Sequence, residues 1–187
     1  MKNKIDVSVI IPVFNVQDTI GHLVHKLLSE QTLSIEVIVV DDGSSDETWA
    51  ILSAVSDERL VLIHQENQGV YAARNAALVV HSGEWVVFLD ADDWIADGFL
   101  RERLYTAREA RADVAVFNGW CADGTGQHHA PVHRRQPYGQ SLNGCTSLKG
   151  YWHWGATKAW LLVYLTAWNT CDHPVPDRYL LSLICTG

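Results

Sequence analysis

Three carboxylates fall within four residues at Asp90, Asp92 and Asp93, directly after the apolar run Trp85-Val86-Val87-Phe88-Leu89. Residues i and i+2 of an extended chain point the same way, so Asp90 and Asp92 can present two carboxylates to one point in space. Like charges held that close repel unless a cation lies between them, and oxygen ligands favour a hard divalent ion such as Mg²⁺ or Mn²⁺. A phosphate-bearing ligand would complete its coordination shell. The same residues also suit an acidic turn ahead of a helix, with Asp93 or Asp97 as N-cap. Three carboxylates in four residues shift the balance towards metal.

A second acidic pair, Asp41 and Asp42, ends the apolar stretch Val37-Ile38-Val39-Val40 and leads into Gly43-Ser44-Ser45-Asp46-Glu47. Glycine permits a tight turn there, and Ser45 or Asp46 can cap a following helix that begins near Thr48 and Trp49. Turn chemistry does not explain Asp41, whose carboxylate beside four apolar residues is costly to bury without a partner. It could accept a hydrogen bond from a nucleobase or a ribose. No glycine-rich dinucleotide fingerprint or P-loop accompanies these residues, because Pro12 to Asn15 contains no glycine and no Gly-Lys-Ser/Thr follows. A Rossmann dehydrogenase and a P-loop NTPase are therefore poor fits.

Such residues need a frame, and residues 5 to 118 supply one by alternating short β-branched runs with amphipathic patterns. That is the signature of βα units in a mostly parallel sheet covered on both faces. Strands are predicted at Val7 to Val13, Glu36 to Asp41, Leu60 to His64, Trp85 to Leu89 and Val114 to Phe117. Helices are predicted from Asp18 to Glu30, Asp46 to Val55, Val70 to His81 and Gly98 to Arg111. In the first, Ile20, Leu23, Val24, Leu27 and Leu28 share one face. In the third, Ala72, Ala73, Ala76 and Ala77 would let the helix approach the sheet closely. Open sheets of this kind bind ligands beyond the carboxyl ends of their strands, where every predicted strand carries polar residues.

The 187 residues are 48% hydrophobic and 19% charged, a globular balance that excludes intrinsic disorder. With 14 basic and 22 acidic side chains, the chain lacks the basic footprint of a nucleic-acid-binding surface. The acidity is uneven: residues 1–100 hold 5 basic and 16 acidic side chains, residues 101–187 hold 9 and 6. From Pro137 onward only Lys149, Lys158, Asp172, Asp177 and Arg178 are charged, while four of the eight Trp and three of the four Cys lie there. Two parts are expected, residues 1–120 and a short atypical segment at 121–187. The loss of charge suggests a chain shortened or altered after about Gln136, for instance by a change of reading frame. No signal-peptide pattern opens the chain, and its longest apolar run of note, Ala159 to Trp168, is about half the 18 to 20 residues of a spanning helix. A cytoplasmic location is expected, with peripheral attachment at the inner face of a membrane left open.

Taken in order, Val7 to Asn15, Glu36 to Thr48, Asn67-Gln68-Gly69 with Ala73-Arg74-Asn75, and Gly83 to Asp93 resemble the successive motifs of family 2 glycosyltransferases with the GT-A fold. Four ordered motifs over roughly residues 5 to 120 make chance agreement remote. The resemblance implies an α/β nucleotide-diphospho-sugar transferase fold whose first part binds the donor. It also implies inverting transfer of a sugar from a UDP-sugar to a hydroxyl on a saccharide or lipid-linked acceptor, as in lipopolysaccharide or other surface polysaccharide synthesis. By position, Pro12, Phe14, Asn15, Asp41, Asp42, Gly69, Arg74, Asp90 and Ala91 would contact the nucleotide-sugar, with Asp41 reading the uracil. Asp90 and Asp92 resemble the DxD pair, Asp92 as the main ligand of Mn²⁺ or Mg²⁺. A cation bridging the two phosphates would act as a Lewis acid for departing UDP. Arg74 would face the donor, or else anchor an acidic loop by a salt bridge.

Inversion also needs a carboxylate base for the acceptor hydroxyl. Asp123, Asp172 and Asp177 are the candidates; Asp172 is the least poor match, although Pro174 and Pro176 follow it. Cys121, His128, His129 and His133 fit no standard zinc spacing and read better as a polar loop among Gly124, Gly126 and Pro131. Four widely spaced Cys without CxxC read as reduced thiols. Tyr151, Trp152, Trp154, Trp160 and Trp168 suit core packing, sugar stacking or a membrane surface. Two other classes remain to be weighed. One is a nucleotide-sugar binding fragment lacking its acceptor half. The other is a sugar nucleotidyltransferase, which would need a Gly-rich basic loop where Phe14-Asn15-Val16-Gln17 stands.

Overall fold

The computed structural model describes residues 4–111 and, beyond them, strands at 114–117, 120–122, 128–131 and 160–164. Two compact units divide the chain, Met1–Arg101 and Glu102–Gly187.

In the first unit, β1 (Val7–Val13), β2 (Ile35–Asp41), β3 (Leu60–His64) and β4 (Trp85–Phe88) form parallel ladders in the order β3-β2-β1-β4. β1 and β2 are buried along almost their whole length, which is why both read as unbroken apolar runs rather than alternating ones. Between the strands run α1 (Ile20–Leu28), α2 (Thr48–Ser53) and α3 (Val70–Val80). The crossovers β1 to β2 and β2 to β3 move in one direction and β3 to β4 returns in the other. Right-handed connections therefore set α1 and α2 on one face and α3 on the opposite face.

Each predicted strand and helix of this unit is present, with helix ends drawn in by at most two residues. α1 buries the predicted face, Ile20, Leu23, Val24, Leu27 and Leu28. α3 buries Ala73 and Ala77, and these two small side chains bring it against β1 and β2. The C-terminal carbonyls of α1 are closed by a distant residue: Arg59 donates from Nη2 to Leu28 O (2.6 Å) and from Nη1 to Glu30 O (2.9 Å). Asp57 holds that guanidinium through both carboxylate oxygens.

At the amino ends of the strands a polar clasp fixes β4 against β1. Ser8, fully buried, donates to Glu36 (2.5 Å) and accepts from Gly83 N (2.8 Å). Glu36 also accepts from Ser82 N (2.6 Å) and Ser82 Oγ (3.0 Å). A Cβ on Gly83 would sit 2.5 Å from Ser8 N, so the approach requires glycine.

In the second unit, β5 (Val114–Phe117) pairs in parallel with β8 (Trp160–Tyr164), and β6 (Trp120–Ala122) pairs antiparallel with β7 (His128–Pro131). α4 (Phe99–Glu109) matches the fourth predicted helix. Two expectations change here. Part of the segment expected as a polar loop from Cys121 to His133 is a two-stranded ribbon with an irregularity at Cys121/Ala122, where an end-strand Pro131 is tolerated. Trp160 opens β8, an apolar run of Trp-Leu-Leu-Val-Tyr that was not among the predicted strands. Asp123, Asp172, Asp177, His133, Trp168 and the aromatic cluster at 151–154 lie outside the described residues, and of the tail beyond about Gln136, where an altered chain is expected, only β8 is described.

Candidate functional site

β1 and β4 run together only from Val7↔Trp85 to Ile10↔Phe88, with Leu89 N closing on Ile10 O at 3.0 Å. β1 continues to Val13 against β2, where Val13 O accepts from Asp42 N at 2.9 Å. Backbone polar groups alternate sides along a strand, so position 12 turns towards β4. Pro12 has no N–H to offer it, and the two strands part there. The order β3-β2-β1-β4 makes this parting the topological switch point, the place where open α/β sheets bind ligands. A groove of about 250 Å³ lies beside it, lined among others by Asp18, Thr19, His22, Asp92 and Trp94.

The loop after β4 brings Asp90, Ala91, Asp92 and Asp93 to this place. Arg74 Nη2 on α3 donates to Asp90 Oδ1 at 2.8 Å, and its guanidinium lies 5.5 Å over the Phe88 ring. Arg74 Nε is buried without a hydrogen-bond partner. Asp93 turns back on the loop, accepting from Asp90 N at 3.0 Å while its own N donates to Asp90 O. It therefore braces the turn, and Asp97 pairs with Lys26; neither caps α4 in the way the acidic-turn reading expects. Burial pushes the Asp93 carboxyl up to about 7, and the nearby charges of Asp90 and Asp92 push in the same direction. Asp92 is exposed.

Two loops close the other side. Asn15 adopts a left-handed conformation (φ 52°), which Asn tolerates better than most side chains. Its Oδ1 accepts from Ser45 N (2.8 Å), and its N donates to Ser44 Oγ (2.9 Å). Phe14 beside it is 48% exposed, which leaves its ring available for stacking. The loop after β3 is tied down by Asp42, which accepts from Gln65 Nε2 (2.7 Å), Gln68 N (2.9 Å) and Gly69 N (2.7 Å). Burial alone would raise the Asp42 pKa, but these three bonds outweigh it and hold the carboxyl below its usual range. Gly69 (φ 88°) and Gly43 (φ 80°) occupy backbone conformations that favour glycine.

Asp41 is fully buried. Its Oδ1 accepts from Ser44 N (3.0 Å) and its Oδ2 lies 2.9 Å from His64 Nδ1. The cost of burying this carboxylate is thus met inside the protein, by a residue that sequence reasoning passed over. His64 is the register partner of Asp41 on β3, and its ring lies 5.1 Å from that of Trp49. Matching strand ends were the signal that could have found it.

Mg²⁺-like ions take one or two carboxylates and complete their shell with phosphate and water. Among the described residues no group of three or more His, Cys, Asp or Glu forms a ready-made cage. Asp90 and Asp92 are hard oxygen donors two residues apart on one loop, and Asp92 is exposed, so the residues fit an ion arriving with a diphosphate. Among the described residues, no helix is long and apolar enough to cross a membrane.

A parallel sheet of this order, with acidic loops at the parting of β1 and β4, is the GT-A type of glycosyltransferase fold. The profile of Glycosyl transferase family 2 matches residues 8–158, and the chain belongs to that family. It is 38% identical over 114 residues to the glycosyltransferase GlyA of Streptococcus pneumoniae, covering 60% of this chain and 16% of GlyA. It is 40% identical over 89 residues to WfaP of Escherichia coli, a UDP-Glc:α-D-GlcNAc-diphosphoundecaprenol β-1,3-glucosyltransferase, covering 47% of this chain and 36% of WfaP. The crystal structure of S. aureus TarS 1-349 in complex with UDP-GlcNAc is similar with a TM-score of 0.55 at 30% identity, covering 60% of this chain and 34% of TarS 1-349. The chain thus spans about a third of these proteins or less.

Proposed function

We propose that this chain carries the donor site of an inverting glycosyltransferase that takes its sugar from UDP and serves surface polysaccharide or lipopolysaccharide synthesis. The observation that carries the reading is the crevice opened at Pro12, with the Arg74–Asp90 pair and Asp92 on the β4 side and Phe14 and Asn15 on the β1 side. The nucleoside lies towards Phe14 and the Asp41–His64 pair, and the diphosphate towards Asp90 and Asp92. A Mn²⁺ or Mg²⁺ ion held by those two carboxylates supplies charge neutralisation to the leaving diphosphate. Arg74 keeps Asp90 oriented, and Asp42 and Gly69 shape the loop that closes over the nucleotide. The acceptor is a saccharide or a lipid-linked saccharide, and the base that activates its hydroxyl belongs to the part after the DxD.

Support comes from the family membership and from one relative, WfaP, whose name includes a UDP-glucose donor and a diphosphoundecaprenol-linked acceptor. Calorimetric titration with UDP, with and without Mn²⁺, tests the reading. Tightening by the metal, lost in Asp92→Asn, is expected; equal binding of UDP in both conditions would overturn the metal role, and no binding would overturn the donor site. UDP release in the presence of acceptor separates turnover from a binding fragment.

A further inference from the structure

The carboxylate expected to read the base is sealed. Asp41 is fully buried, with one oxygen engaged by Ser44 N at 3.0 Å and the other by His64 Nδ1 at 2.9 Å. The side chain that is open to solvent at this strand end is that of His64, 52% exposed. A carboxylate oxygen only accepts, so Nδ1 carries the hydrogen of this bond, and in the neutral imidazole Nε2 is then an acceptor. Buried carboxylates fix histidine tautomers in this way at metal and catalytic centres. The Trp49 ring packs beside that of His64, tilted by 59° with its centre 5.1 Å away. Phe14 follows β1, two strands away from β3, a separation of about 9 to 10 Å that leaves room for one flat ring between them.

We infer that His64 is the base-reading residue of the site: its Nε2 accepts the imide N3–H of a uracil ring, and Asp41 acts behind it as a positioning residue. The inference rests on the nucleoside diphosphate reading of the cleft and deepens it. An acceptor at Nε2 matches a pyrimidine that carries hydrogen on N3. It does not match cytosine, whose N3 is itself an acceptor. The two pyrimidines are otherwise alike in size, so the histidine tautomer decides between them.

Binding of UDP, CDP and N3-methyl-UDP to the full chain in the presence of Mn²⁺ tests this. The wild type is expected to favour UDP over the other two by about tenfold, the worth of one hydrogen bond. His64→Phe keeps a ring against Trp49 but removes the acceptor, and it is expected to bring the UDP and CDP affinities to within about twofold. An unchanged preference in a folded His64→Phe protein would overturn the inference and leave the donor site standing. Should that variant fail to fold, the N3-methyl comparison on the wild type still decides: equal binding of UDP and N3-methyl-UDP overturns the inference. Failure of the wild type to bind any of the three overturns the donor-site reading as well.

Discussion

Arg74 on α3 and Asp90 after β4 are joined by a 2.8 Å hydrogen bond between Nη2 and Oδ1, so a helix on one face of the sheet sets the position of a carboxylate at the strand's carboxyl end. The pair is mostly shielded, with the Arg74 side chain 18% exposed. Its expected worth lies above that of a surface ion pair. Arg74→Met should lower unfolding stability by about 1.5 to 3 kcal/mol, the range for hydrogen bonds to charged groups, as measured by urea denaturation. It should also weaken UDP binding. A stability loss with unchanged UDP affinity would leave Arg74 as a structural anchor alone.

Asp92 is exposed, and its replacement by Asn removes a charge without opening a cavity. Asp92→Asn should shift the urea midpoint by less than about 0.5 kcal/mol equivalent, as surface substitutions do. The dependence of UDP binding on Mn²⁺ should fall sharply in the same protein. Loss of both stability and binding would show that Asp92 braces the loop instead.

Gly83 meets Ser8 so closely that a methyl group would lie 2.5 Å from a backbone nitrogen. Backbone cannot swing aside as a flexible side chain can. Gly83→Ala should destabilise by about 1 to 3 kcal/mol, the usual cost of overpacking, read from thermal or urea unfolding. A neutral result would mean that β4 slides along β1 freely, contrary to the clasp at Ser8, Glu36 and Ser82.

Acid should unlock the first unit at identifiable carboxylates. The Arg59 side chain and backbone N–H pull the Asp57 carboxyl down to about 2, and Asp42 is also held below its usual range. A carboxylate with a depressed folded pKa contributes stability above its unfolded value of about 3.9, and that contribution disappears as pH falls through the folded value. Urea midpoints should therefore drop between about pH 4 and pH 2. Asp57→Asn should be less stable at neutral pH and flatter across that window; an identical slope in the variant would exclude Asp57 as a source.

Strand and helix placement up to residue 111 was legible because covered parallel strands are continuously apolar and α1 repeats its apolar residues on one face. The acidic strand ends were legible too, since Asp41, Asp42, Asp90 and Asp92 interrupt such runs. What those carboxylates touch was not. Asp41 meets a histidine 23 residues away through register, and Asp42 is consumed by a loop backbone whose geometry follows from Gly69 and no side-chain pattern. The pairing of β5 with β8 joins segments more than 40 residues apart, which local periodicity does not encode.

One missing hydrogen at Pro12 has a wider effect than its size implies. Because β1 and β4 come unzipped beyond that point, the loops on either side owe nothing to each other's ladder. Their lengths and residues can diverge while the lower sheet, pinned at Ser8 and Gly83, keeps its register. The seam separates what must stay constant for folding from what is free to change for binding a different ligand.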